Sequence, residues 1–149
     1  MTAVDIAMGA ANIPATTMAP LRLLHTMLRV RDPDRAQAFY VGLLGMRLLR
    51  RADYPSGRFS NLFVGYDCEQ SGTVLELTWN WDHTGPYEPG TAFGHLAIGT
   101  PDLYGLCEHL RSAGVRVIRE PGPLADSPRE IAFVLDPDGY KLELIKVTP

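Results

Sequence analysis

Two histidines and two glutamates recur in this chain at nearly the same interval. His25 and His95 are 70 residues apart, and Glu76 and Glu143 are 67 apart. Each glutamate sits inside the same tripeptide, Leu75-Glu76-Leu77 and Leu142-Glu143-Leu144. In a β-strand successive side chains alternate, so the leucines face one side and the glutamate the other. Neutral imidazole nitrogen suits Ni, Co, Zn or Fe, and carboxylate oxygen supports higher coordination. Four protein ligands leave two positions of an octahedral shell for water or substrate. A lone strand histidine is ordinarily a hydrogen-bonded structural residue, and a lone strand glutamate marks the solvated face. The duplication lifts these four above that reading. Related modules are expected to aim all four at one axis.

The elements that would position them are also written twice. Leu23–Val30 reads as a strand, and Asp32-Pro33 opens a helix carrying Ala36, Phe39, Tyr40 and Leu43 at helical spacing, stopped at Gly45. Phe93–Gly99 reads as a strand, and Thr100-Pro101 opens a second helix with Leu103, Leu106, Cys107 and Leu110, stopped at Gly114. Three strand-like runs follow each helix, at Met46–Arg51, Phe59–Tyr66 and Thr73–Trp79, then Val115–Arg119, Glu130–Leu135 and Lys141–Val147. Turn signals such as Pro55-Ser56-Gly57, Pro121-Gly122-Pro123 and Asp136-Pro137-Asp138-Gly139 separate them. The expectation is an α+β fold of two paired βαβββ modules forming a curved mixed sheet, with helices on the outer face. Residues 1–20 read as a flexible extension and 21–146 as the folded domain. Within it the first module covers about 21–81, a polar Gly/Pro-rich linker 82–91, and the second module about 92–146.

Composition excludes several classes. The chain has 149 residues, 46% hydrophobic and 21% charged, and a net charge of -3. That balance fits a soluble globular domain and argues against nucleic acid as a partner. No apolar run is long enough to span a membrane, and the first twenty residues carry Asp5 and no Lys or Arg, unlike a secretory signal. Two cysteines make no disulfide framework, so a reducing cytoplasm is expected. Cys107 belongs to the apolar helix stripe and Cys68 to a turn, neither with a feature expected to lower a thiol pKa. His83 and His109 have no duplicated partner and read as solvated or capping residues. Arg47, Arg50 and Arg51 read as solvated strand surface.

The motifs His25-Thr26-Met27-Leu28-Arg29-Val30, Phe63-Val64-Gly65-Tyr66, Glu76-Leu77-Thr78-Trp79-Asn80-Trp81, Gly94-His95 and Asp136–Ile145 resemble glyoxalase I, of the vicinal-oxygen-chelate superfamily. The resemblance covers about Leu21 to Lys146. It implies lactoylglutathione lyase activity: isomerisation of the methylglyoxal–glutathione hemithioacetal to S-lactoylglutathione through an enediolate. It implies the metal ligands His25, Glu76, His95 and Glu143, with Glu143 as the base and Glu76 as its symmetry partner. A homodimer is implied as well, each site taking one ligand pair from each subunit. Histidine at the first ligand position and a linker without long insertions favour Ni2+ or Co2+ over Zn2+. Arg29 and Asn80 would hold the γ-glutamyl end of glutathione and Arg119 its glycyl carboxylate. Thr91 stands where some relatives carry arginine. Other enzymes of this superfamily, such as dioxygenases and thiol transferases, use two histidines and one glutamate. A metal-free antibiotic-binding protein of the same fold needs none of the four.

Overall fold

A computed structural model describes residues 19–148; most of the expected extension at 1–20 lies outside the described residues. The element order is β1 (His25–Arg29), α1 (Pro33–Gln37) running into a π-helical stretch (Ala38–Leu43), β2 (Arg47–Tyr54), β3 (Phe59–Gly65) and β4 (Val74–Asn80). Then follow β5 (Leu96–Thr100), α2 (Leu103–Ser112), β6 (Val117–Pro123), β7 (Glu130–Leu135) and β8 (Lys141–Lys146). Each set of four strands makes its own mixed sheet, in the orders β1-β4-β3-β2 and β5-β8-β7-β6. In both, the opening strand pairs in parallel with the last, and the other pairings are antiparallel. The parallel pair needs a long crossover, and the helix with its two following strands supplies it.

Both helices begin at an aspartate cap. Asp32 Oδ1 accepts from the amides of Asp34 and Arg35 at 2.9 and 3.1 Å, and Asp102 Oδ1 accepts from Gly105 at 2.9 Å. The expected Thr100-Pro101 start is therefore displaced. Thr100 ends β5, its hydroxyl accepts from the Asp102 amide, and Asp102 caps in the place that Asp32 holds seventy residues earlier. Gly45 and Gly114 close the helices at φ of +70° and +82°, left-handed values that cost glycine little.

The leucine faces of both sheets meet the helices in one core. Leu28, Leu62, Val64, Leu77, Phe39 and Tyr40 from the first half join Leu103, Cys107, Leu110, Val134, Leu142 and Leu144 from the second. Polar bonds tie the halves together. The buried Tyr40 hydroxyl donates to Asp136 Oδ2 at 2.8 Å, and the Tyr140 hydroxyl donates to the Arg29 carbonyl at 3.0 Å. The Asp138 carboxylate accepts from the Arg31 side chain at 3.0 Å. Asp136 also accepts from the amides of Asp138 and Tyr140. Burial pushes the Tyr40 phenol far above its ordinary range and raises the Asp136 carboxyl. No helix among the described residues is long and apolar enough to cross a membrane.

Candidate metal centre

The face opposite the helices carries the candidate ligands. Alternation along β1 puts His25, Met27 and Arg29 on that face, and along β4 it puts Glu76, Thr78 and Asn80 there. His25 Nε2 stands 2.7 Å from Glu76 Oε2. In the second sheet His95, immediately before β5, places Nε2 at 3.1 Å from Glu143 Oε2 on β8. The pairs match in exposure: 40% for His25 and 15% for Glu76, against 42% and 15% for His95 and Glu143. A phenylalanine ring meets each imidazole edge-on, Phe63 at 6.0 Å and Phe133 at 5.3 Å between centroids. Those rings stand directly across the strands from Glu76 and Glu143.

Single-chain geometry thus differs from four groups at one axis. Among the described residues no group of three or more His, Cys, Asp or Glu side chains converges on a point. What the chain builds is two separate His–Glu pairs, each with one nitrogen and one oxygen that could serve as donors. A donor separation of 2.7–3.1 Å suits neighbouring ligands at right angles, since bonds of roughly 2.1 Å set them about 3.0 Å apart. The donors fit a divalent ion with open positions. A concavity of about 710 Å³ lies elsewhere, on the helix side among Arg35, Phe39, Arg116 and Asp136. The two imidazoles on the opposite face are exposed and their carboxylate partners mostly buried.

Other expected residues fall around these pairs. Arg29 ends β1 on the ligand face and is exposed. Asn80 lies on the Glu76 face, where its amide donates to the Tyr87 hydroxyl at 3.1 Å. Tyr87 stacks on His83 at 3.9 Å, so the linker leans on this corner. Arg119 stands opposite Phe133 on β6, but its guanidinium donates to the carbonyls of Ile131 and Pro123, at 2.6 and 2.9 Å. Thr91 is exposed in the turn before β5.

Some residues of this face escaped the sequence reading. Arg50 is not merely solvated surface: its guanidinium lies 3.7 Å over the Phe63 ring and pairs with Glu69. Asn61 on β3 donates to Glu76 Oε1 at 2.6 Å. Its signal was a lone amide in an apolar strand, two residues from Phe63. Cys68 also departs from expectation. Its thiol, 3.0 Å from the Ser71 hydroxyl and near the backbone amides of that turn, is lowered by those hydrogen bonds. Cys107 is raised by burial.

Comparison with known proteins follows the same lines. The Glyoxalase/Bleomycin resistance protein/Dioxygenase superfamily model matches residues 22–144. A probable lactoylglutathione lyase of Synechocystis is 52% identical over 126 residues, 85% of this chain and 95% of that protein. The lactoylglutathione lyase of Neisseria meningitidis is 53% identical over 85% of this chain and 91% of its own. Among solved structures, glyoxalase I of Zea mays aligns with a TM-score of 0.82 at 42% identity. It covers 86% of this chain, which spans only 45% of the maize one. The trypanothione-dependent glyoxalase I of Leishmania major aligns with a TM-score of 0.75 at 43% identity, over 85% of this chain and 86% of its own.

Proposed function

Because this chain belongs to the glyoxalase/bleomycin resistance protein/dioxygenase superfamily, we infer from its relatives and its paired donors that it is a lactoylglutathione lyase. The superfamily name alone spans several activities. Roughly half-identity to lyases over nearly their whole length selects among them. The enzyme isomerises the methylglyoxal–glutathione hemithioacetal to S-lactoylglutathione through an enediolate.

His25, Glu76, His95 and Glu143 would hold the divalent ion, Ni2+ or Co2+ in preference to Zn2+. When bound, it supplies Lewis-acid stabilisation of the oxygen charge that develops as the substrate loses its proton. Glu143 takes that proton from the carbon bearing sulfur and hydroxyl, then returns it to the neighbouring carbon. The first carbon becomes the thioester carbonyl and the second an alcohol, so no outside oxidant is involved. Arg29 and Asn80 hold the γ-glutamyl end, on the face that carries Glu76. Arg119 meets the glycyl carboxylate by releasing one of its two carbonyl partners. The Leishmania neighbour is a trypanothione-dependent glyoxalase I. Arg29, exposed at the end of β1 on the Glu76 face, suits the acidic tripeptide glutathione.

The observation that carries this reading is the pair of matched His–Glu half-sites, each one donor pair short of a full set. A homodimer that sets the first module, about 21–81, of one subunit against the second, about 92–146, of its partner completes both. The enzyme acts in the cytoplasm, in keeping with its free thiols, Cys68 and Cys107. The test is metal-stripped protein assayed on the hemithioacetal after adding Ni2+, Co2+ or Zn2+. Restoration strongest with Ni2+ or Co2+ is expected, and no activity with any of them overturns the reading.

A further inference from the structure

The half-sites share a frame but are finished differently. In the first, the Asn61 amide nitrogen donates to Glu76 Oε1 at 2.6 Å. Its carbonyl oxygen accepts from the Thr78 hydroxyl at 3.1 Å, and that hydroxyl lies 3.5 Å from Glu76 Oε1. An ionised carboxylate only accepts, so the amide must present nitrogen to Glu76 and oxygen to Thr78. Asn61 and Thr78 face each other across β3 and β4, and both are buried. The result is a line of contacts, Thr78 to Asn61 to Glu76 to His25. It occupies one carboxylate oxygen and leaves the other turned to the imidazole.

The second half-site has no such line. Where Asn61 and Thr78 stand in the first, the registers put Ile131 and Ile145, paired across β7 and β8. Neither side chain can donate. Among the described residues no side chain is seen to donate a hydrogen bond to Glu143 Oε1, and the ion-pair contact of this carboxylate, to His95, is made at Oε2. Two acids matched in exposure and in histidine partner thus differ in whether anything pins them.

We propose that Asn61, oriented by Thr78, is a positioning residue that fixes Glu76 as the stationary acid, leaving Glu143 as the acid free to swing to substrate. The inference rests on the metal and ligand reading above. It assigns the asymmetry to two side chains that touch neither substrate nor ion. Their work is done through the geometry of Glu76, as outer partners do for other ligating carboxylates.

Cobalt binding tests it without turnover. Metal-stripped full-length protein is titrated with Co2+ and followed by visible absorption, with far-UV circular dichroism and thermal unfolding as checks on the fold. Asn61→Leu is expected to weaken Co2+ binding by about 10–100-fold and to alter the absorption band. Thr78→Val should weaken binding by a smaller factor, and Thr78→Ser, which keeps the hydroxyl, should restore it. Wild-type affinity and spectrum in Asn61→Leu would overturn the proposal. If that variant fails to fold, the Thr78 pair decides, and equal affinities for Val and Ser count against the inference. A wild-type chain that takes up no Co2+ defeats the metal reading itself and the inference with it.

Discussion

At the scale of single residues, the pairing of each imidazole with one carboxylate governs what substitution does. Glu143→Gln keeps an oxygen donor but cannot collect a proton. Turnover should fall by about three orders of magnitude or more, with circular dichroism and bound metal near wild type; substantial residual activity would remove Glu143 as the base. Glu76→Gln should instead lose metal, because it would replace the charged candidate ligand that accepts from Asn61. Arg29→Ala should raise KM for the glutathione adduct about tenfold with metal content unchanged. Loss of metal there would place Arg29 in a different role. The four candidate ligands were legible in the sequence because strand alternation and a repeat of about 70 residues are one-dimensional signals. Asn61 and Arg50 were not. Both act through strands adjacent in space, and one chain does not announce the register that puts Asn61 opposite Thr78 or Arg50 opposite Phe63.

At the scale of elements, the buried link between Tyr40 and Asp136 joins the first helix to the turn before β8. Tyr40→Phe removes the donor and leaves the carboxylate short of one partner. A cost of about 1–3 kcal/mol is expected by urea denaturation. The pH dependence follows from the raised phenol. Below pH about 10 both folded and unfolded chains hold the proton, and the contribution of Tyr40 is fully present. As pH rises past about 10 the unfolded chain loses that proton first, so stability falls. Tyr40→Phe should flatten this alkaline slope, and an unchanged slope would contradict the linkage. Helices and strands were readable from apolar spacing and punctuation, and the glycine stops hold. The second helix start was misread because Thr100-Pro101 imitates a cap, whereas β5 pairing with β8 claims Thr100 for the sheet. The π-helical stretch at Ala38–Leu43 left no mark in the apolar spacing, since Phe39 and Tyr40 reach the core either way.

At the scale of the whole molecule, the expectation is that each complete site draws on two chains. His25→Ala and His95→Ala should each be inactive alone. Mixed and allowed to exchange subunits, they should recover about one quarter of wild-type activity: half the dimers are mixed, and each mixed dimer holds one unmutated site. No recovery after verified exchange would mean that all four ligands come from one chain. The fold class was visible in the sequence itself, whereas the division of each ligand set between two subunits came only as what the family resemblance implies. Repeat spacing tells which residues correspond, not which of them meet. If each complete site takes half its donors from either chain, ion capture and subunit association would be one thermodynamic event. Each should strengthen the other, so a chelator should split the assembly and dilution should release its ion.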